Sequence, residues 1–338
     1  PNPPYNNLSG IVYSAGPGKD TISAGDGTDF VNGQLGHDII SGDEGRDQIE
    51  AGLGDDIIFV TLDDDTINGD YGKDTVISSR DVSRVELVGT TASATLEHKN
   101  SAGDSLSTFS LTSVEVVRIT TGGMRNTFFI KNWDGALYLG ADGNADSLEI
   151  ENATDMVVKN ATVAEGLLFL DLYGFFKDSS ISLANGATYH LGSLEKVKIT
   201  LTGVAANTIN ASAYSRSLTL ATLGGNDTLI GGSADDTFLF LADAALGTNT
   251  IKGNGGRDTV EFTGTTLGVT LDLAVHFSQP VNANLNLILL DDLENVTGGS
   301  GNDFLYGNGL NNVLTGGLGN DWLQGRGGNE TYAYNGDS

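Results

Sequence analysis

The chain has 338 residues, 47 of them Gly, 5 Pro and none Cys, and its 44 acidic and 17 basic residues give a formal net charge of −27. That acidity excludes a nucleic-acid-binding surface, which needs a basic face. Disulfides and Cys-based metal sites are excluded outright, no apolar run approaches the roughly 18 residues of a membrane-spanning helix, and 39% apolar residues with few prolines describe a folded, β-rich chain.

Residues 1–14 begin Pro-rich and end in an apolar stretch, Ile11, Val12 and Tyr13, which is expected to cap the repeats that follow. Residues 15–77 divide without remainder into seven nine-residue units: AGPGKDTIS, AGDGTDFVN, GQLGHDIIS, GDEGRDQIE, AGLGDDIIF, VTLDDDTIN and GDYGKDTVI. The sixth position is Asp in all seven (Asp20, Asp29, Asp38, Asp47, Asp56, Asp65, Asp74), and the eighth is always Ile or Val. A short exact period of this kind predicts a solenoid.

Glycine recurs at the fourth position (Gly18, Gly27, Gly36, Gly45, Gly54, Gly72) and often at the second, as at Gly16 and Gly25. These residues predict a tight turn over the first six positions. The last three alternate one apolar residue between two variable ones, the signature of a short half-buried strand. Capping a turn would accept Asn or Ser as readily as Asp, so seven aspartates in register ask for charge. A carboxylate in a glycine turn, with backbone carbonyls around it, is an all-oxygen ligand set suited to hard cations, above all calcium.

The pattern GGxGxDxUx, with U a bulky apolar residue, resembles the RTX or hemolysin-type calcium-binding repeat of secreted bacterial proteins. The resemblance implies a parallel β-roll in which two units make one coil. It pairs Asp20 with Asp38, Asp29 with Asp47, Asp38 with Asp56, Asp47 with Asp65 and Asp56 with Asp74 about calcium ions, the glycine-turn carbonyls completing each shell. Unit VTLDDDTIN departs from the pattern, with Asp63 in place of glycine, and its ion is the least expected of the set.

Over residues 78–221 the aspartate register fails and β patterns take over, as in VEVVRIT and VKITLT. Echoes of the unit persist in GGMRNTFFI and GVAANTINA, which are read as putting Thr127 and Asn207 at the ligand position, and around Asp146. This block is expected to be a metal-poor solenoid held by apolar packing. A larger layout also recurs, with Glu115 followed by Asn126, Glu195 by Asn207 and Glu294 by Asn302, which suggests three elaborated rounds of one module. From residue 222 to 338 the signature returns, interrupted by an excursion at about 262–297. Its ligand candidates are Asp227, Asp236, Asp258, Asp303 and Asp321, with Asn312 and Glu330 as weaker or absent sites. The charge follows the repeats: 15 acids less 3 bases give −12 over 15–77, 15 less 11 give −4 over 78–221, and 14 less 3 give −11 over 222–338.

Other chemistry is scarce. The four His residues, 37, 98, 190 and 276, form no HExxH pattern, and no Ser sits in a GxSxG elbow. Glu165, Asp171 and Asp178 are the nearest approach to a carboxylate pair for glycoside chemistry. The aromatics of the middle block, Phe128, Phe129, Trp133, Tyr138, Phe169, Tyr173, Phe175, Phe176 and Tyr189, are read as core filling before a sugar platform.

The expectation is therefore an all-β parallel β-roll or β-helix solenoid, two calcium-binding arrays flanking a metal-poor middle. Its function would be that of a non-enzymatic, calcium-dependent structural or interaction module, extracellular or at the cell surface. The alternative is a calcium-binding tail, or a carbohydrate-active part, of a secreted polysaccharide-modifying enzyme. Expected partners are calcium and, as open alternatives, a cell-surface polysaccharide or further copies of the chain. PNPPYNNLSG carries no signal-peptide pattern, so secretion without one, from a larger parent protein, is the expectation.

Overall fold

In the computed structural model the described residues are 10–61, 63–80, 82–121, 125–140, 147–152, 156–159, 179–183, 188–192, 196–291 and 293–333. All regular structure among them is β, and most strand pairs are parallel. The chain forms two compact units, one from residues 1–149, 161–180 and 185–195, the other from 150–160, 181–184 and 196–338.

In the first unit each nonapeptide contributes one three- to six-residue strand, and successive strands alternate between two parallel stacks. Val12–Ser14, Phe30–Asn32, Gln48–Leu53 and Thr66–Tyr71 form one stack; Thr21–Ser23, Ile39–Ser41, Ile57–Val60 and Thr75–Ser79 form the other. Partners are 18 residues apart, so two units close one coil, as the resemblance implied. The register aligns the eighth positions: Val31, Ile49 and Ile67 in one stack, Ile40, Ile58 and Val76 in the other, all fully buried. One apolar side chain per strand is enough because parallel stacking makes each a member of a continuous ladder.

After Ser79 the first stack takes in an antiparallel excursion, Arg84–Thr90, Ser93–Lys99 and Ser105–Thr112. Its last strand continues parallel from Thr66–Tyr71, and its first continues parallel into Thr127–Lys131. The second stack meanwhile runs on through Val116–Thr120, Ala136–Gly140 and Thr188–Gly192.

The second unit repeats the plan with an insertion. Leu220, Phe238, Val260, Val296 and Leu314 make one buried ladder and Ile209, Leu229, Ile251 and Leu289 another. Strands Thr270–Asp272, Phe304–Tyr306 and Trp322–Gln324 form a third, three-stranded parallel sheet.

Two readings of the middle block can be placed. Asn126, not Thr127, occupies the aspartate position: its carbonyl accepts from the N–H of Ser147, as Asp20's does from Ile39. Thr127 opens the strand; counted back from Asn126 the unit begins at Thr121, so its glycine pair falls at the second and third positions and not the first and second as in GGxGxD. Asn207 does stand at the position assigned to it, its carbonyl accepting from Thr228. Phe128 and Trp133 are fully buried core residues, and Phe129 and Tyr138 lie under the Arg84 and Arg118 guanidinium groups. Glu165, Asp171, Asp178, Asp146, Glu195, Phe169, Tyr173, Phe175 and Phe176, and the side chain of Tyr189, lie outside the described residues.

Candidate metal centres

The turns joining the strands stack on one another with backbone nearly touching backbone. A Cβ built on Gly36, Gly45, Gly54 or Gly72 would lie 1.6, 1.4, 1.4 or 1.8 Å from the carbonyl oxygen of the glycine one coil earlier. The glycine N–H groups donate across the same gap, Gly18 to the Leu35 carbonyl and Gly36 to that of Leu53, at 2.7 and 2.8 Å. The second position of each turn is left-handed at Gly16, Gly25, Gln34, Asp43, Gly52 and Asp70, with φ between 64° and 108°. Thr61, in the departing unit, is not; there the carboxylate of Asp63 accepts from Gly45 N–H at 2.9 Å, where a turn carbonyl serves elsewhere.

This stacking seats the aspartates. The N–H of Asp20 donates to Asp38 Oδ1 at 2.8 Å, and those of Asp29, Asp38, Asp47 and Asp56 donate to Asp47, Asp56, Asp65 and Asp74 at 2.8, 2.6, 3.0 and 2.9 Å. The five pairs expected from the resemblance are thus neighbours in the stack. Each bond uses only Oδ1. The Oδ2 atoms of Asp20, Asp29, Asp38, Asp47, Asp56 and Asp74 are buried and accept no hydrogen bond from any described residue. Where the first position is glycine, the missing side chain is what makes room for this oxygen. A Cβ on Gly33 would meet Asp38 Oδ2 at 2.8 Å and the Ala51 carbonyl oxygen at 2.3 Å; one on Gly69 would meet Asp74 Oδ2 at 2.6 Å and the Ser113 carbonyl at 2.1 Å.

A buried carboxylate oxygen without a partner is among the costliest arrangements in a protein interior, so a proton or a cation must answer it. Burial pushes Asp47 up to about 6 and Asp65 and Asp74 up to about 7, with the neighbouring carboxylates adding to the shift. Among the described residues no three His, Asp or Glu side chains converge on one point. Carboxylates arrive two per coil step, so the remaining oxygens must be backbone carbonyls, and the donor set fits calcium in the way the sequence implied.

Two ligand-position residues were not predicted as such. Glu115 Oε2 accepts from Asp74 N–H and Glu294 Oε2 from Asp258 N–H, both at 2.8 Å, so a longer acid takes the aspartate place where the chain re-enters the solenoid after an excursion. The recurring SVE and DLE steps were the available signal. Asn249, whose Oδ1 accepts from Asp227 N–H at 2.8 Å, had no such signal, because its coil is four residues longer.

In the second unit the candidates differ in surroundings. Asp258 Oδ1 accepts from Asp236 N–H, and Asp321 Oδ1 from Asp303 N–H, with Asp321 Oδ2 buried and unpartnered among described residues. Asp227 takes Asn207 N–H on one oxygen and the Thr222 hydroxyl on the other. Asp236 takes Leu218 and Gly232 N–H at 2.8 and 2.6 Å, and Asp303 takes Val269 and Gly299 N–H, both at 2.8 Å.

No helix among the described residues is long and apolar enough to cross a membrane, which leaves β-barrel spans unaddressed. No curated protein matches the chain. The profile of the RTX calcium-binding nonapeptide repeat, four copies long, matches residues 14–49, 50–81, 219–244, 243–261, 294–309 and 306–338, which are the stretches where the aspartate turns lie. With the parallel coil of two nonapeptides and the register of carboxylates now established on its own residues, the chain carries RTX calcium-binding nonapeptide repeats.

Proposed function

We propose that this calcium-binding structural module serves outside the cell, secreted or at the cell surface, and that it is a non-catalytic part whose folding is switched on by calcium. The observation that carries the reading is the row of six buried Oδ2 atoms, at Asp20, Asp29, Asp38, Asp47, Asp56 and Asp74, that accept no hydrogen bond from any described residue. Without a cation the array of residues 15–77 concentrates 15 acids against 3 bases around a core only one side chain thick. Self-repulsion and desolvation then oppose folding. Bound calcium supplies the positive charge that the carboxylate pairs and turn carbonyls lack. Each ion held at 100 times its dissociation constant adds about 2.7 kcal/mol to the folded state. Extracellular calcium modules bind at about 10⁻⁴ to 10⁻³ M, so the module would stay open where calcium is scarce and close where it is abundant.

The residues have separate parts in this. The fourth-position glycines let successive turns approach, the Asp Oδ1 atoms fix each carboxylate against the preceding coil, and the Oδ2 atoms are the ones that would be left to hold an ion. Far-UV circular dichroism of the whole chain, titrated from EGTA into millimolar calcium with magnesium as control, tests the reading. A coil-to-β transition with calcium and not magnesium is expected; a chain fully β in EGTA at neutral pH would sink it.

A further inference from the structure

The repeats with the same sequence signature are built in two ways. At Asp20, Asp29, Asp38, Asp47 and Asp56 the turn has a left-handed second residue and the carboxylate keeps one oxygen unpartnered among described residues. The same holds at Asp321, where Gly317 has φ 93°. At Asp236, Asp303 and Asn312 the second residues, Gly232, Gly299 and Asn308, are not left-handed. Their N–H groups instead turn inward, onto Asp236 Oδ2 at 2.6 Å, Asp303 Oδ2 at 2.8 Å and Asn312 Oδ1 at 2.9 Å.

The cause lies one coil upstream. The half-satisfied carboxylates of Asp38, Asp47, Asp56, Asp74 and Asp321 each face an aspartate turn of the preceding coil, whose Asp N–H donates to Oδ1. Behind the three inward-turned repeats the preceding coil presents no aspartate turn: Leu218 and Val269 N–H groups serve Oδ1 of Asp236 and Asp303, and the Glu294 carbonyl takes Asn312 Nδ2. Ser233 N–H reaches Tyr214's carbonyl and Ser300 N–H reaches Thr265's, at 3.0 and 2.8 Å, and Asn308 Nδ2 reaches Leu293's at 2.9 Å. Tyr214 and Thr265 close equivalent tight turns, their N–H groups donating to Ala211 and Phe262 carbonyls at 2.8 Å. Against such a turn, a nonapeptide closes on itself.

We propose that Asp236 and Asp303, despite the signature, bind no calcium, and that they pin their turns without metal; the proposal rests on the calcium reading above. An N–H aimed at Oδ2 takes one of that oxygen's two lone-pair directions and presents the positive end of its dipole to any approaching cation. Both oxygens of each carboxylate are then served by backbone N–H groups. Asn312 shows that such a turn does without charge: its Oδ1 accepts from Asn308 N–H while its Nδ2 donates to the Glu294 carbonyl at 2.9 Å. The module would therefore carry self-closed coils that stay formed in the absence of calcium, next to coils that require it.

Calcium stoichiometry of the whole chain, measured by titration calorimetry for wild type, Asp38→Asn, Asp303→Asn and Asn312→Asp, decides the matter. Asp38→Asn is expected to lower the ion count, while Asp303→Asn leaves it unchanged and destabilises the chain equally in calcium and in EGTA. Asn312→Asp, which supplies the carboxylate missing from the sixth position, is expected to add no ion, and this arm remains decisive if Asp303→Asn does not fold. A wild-type chain that takes up no calcium overturns the calcium reading and the proposal with it. A wild type that binds calcium, with fewer ions in Asp303→Asn or more in Asn312→Asp, overturns this proposal alone.

Discussion

Two neighbouring regions of the first unit place polar groups in the interior and treat them differently. In the array of residues 15–77 the buried carboxylates of Asp29, Asp38, Asp47, Asp56 and Asp74 are half-satisfied, each with one oxygen bonded and the other without a partner among described residues. In the excursion of residues 84–112 the buried polar group is His98, fully enclosed, its Nε2 2.7 Å from Ser78 Oγ and its Nδ1 3.0 Å from Ser107 Oγ. On the surface Lys99 Nζ lies 2.7 and 2.9 Å from Glu86 and Glu97. The excursion is complete as a protein; the array is complete only with something added. A satisfied interior needs no regulator, and an unsatisfied one is where a ligand can decide the fold.

The largest effect that follows is on removal of calcium. In EGTA at neutral pH, amide exchange should accelerate across Val31, Ile49, Ile67, Ile40, Ile58 and Val76 by about 100-fold for each ion lost. The strands Val85–Leu87 and Ala94–Leu96, whose antiparallel ladder contains no unpartnered carboxylate among the described residues, should accelerate least. Equal loss of protection in both regions would show that the excursion has no stability of its own.

Next in size is Gly54→Ala. The added methyl would sit 1.4 Å from the Gly36 carbonyl oxygen at a φ of 137°. Separating the two coils and straining the backbone should cost about 3 kcal/mol or more. The loss should appear chiefly in calcium, since only the calcium-loaded array has stacked turns to disrupt. By contrast Gly103→Ala, in the excursion's exposed turn, meets nothing within 4 Å, and only its φ of 90° is unfavourable, so about 1 kcal/mol is expected.

Acidity should act on the two regions with opposite sign. Burial raises Asp47 to about 6 and Asp65 and Asp74 to about 7 in the folded, metal-free chain, above the value near 3.9 of an unfolded Asp. Their contribution to the metal-free fold is full below about pH 4 and is lost as pH rises through 6 to 7. In EGTA, then, acidification from pH 8 to 5 should restore part of the β signal, while in calcium the same step should weaken binding, because protons compete for the ligands. His98 goes the other way. Burial, aided by Arg80, lowers it to about 4, so its contribution is full above about 6.5 and fades as pH falls toward 4. A His98→Gln chain should lose the acid sensitivity of the excursion and keep that of the array.

How much of this was legible follows from the length scale of each cause. The coil, its strand positions and the Asp pairs 18 residues apart were legible because every determinant, Gly54, Asp56 and Ile58 for example, recurs within nine residues. Glu115 was visible as a recurring letter but not as a ligand-position residue, since 41 residues of excursion separate it from Asp74. The self-closed turns at Asp236 and Asp303 were not legible, because GGSGNDFLY satisfies the pattern and GGSADDTFL departs from it only at Ala234 in the fourth position. What distinguishes them is the carbonyl of Tyr214 or Thr265 on the coil before, a contact between segments whose spacing the repeat does not set.

The smallest expected effect bears on whether the excursion's surface matters to its stability at all. Lys99 bridges Glu86 and Glu97, with Arg84 Nε 2.5 Å from Glu86 Oε1. Its ammonium is partly exposed, so Coulomb attraction is screened and offset by side-chain entropy. Replacing Lys99 with Met keeps the apolar stem and leaves Glu86 with Arg84, so a loss of about 0.5–1 kcal/mol is expected in thermal unfolding, falling as salt rises. Thr108 links this cluster to the array, its hydroxyl donating to Glu97 and its N–H to Asp64, but Asp64 is not at the sixth position of its turn, so calcium affinity should not move. A Lys99→Met chain with weakened calcium binding would mean that the excursion and the array fold as one cooperative element, and the contrast between a self-sufficient region and a metal-dependent one would give way to a single equilibrium.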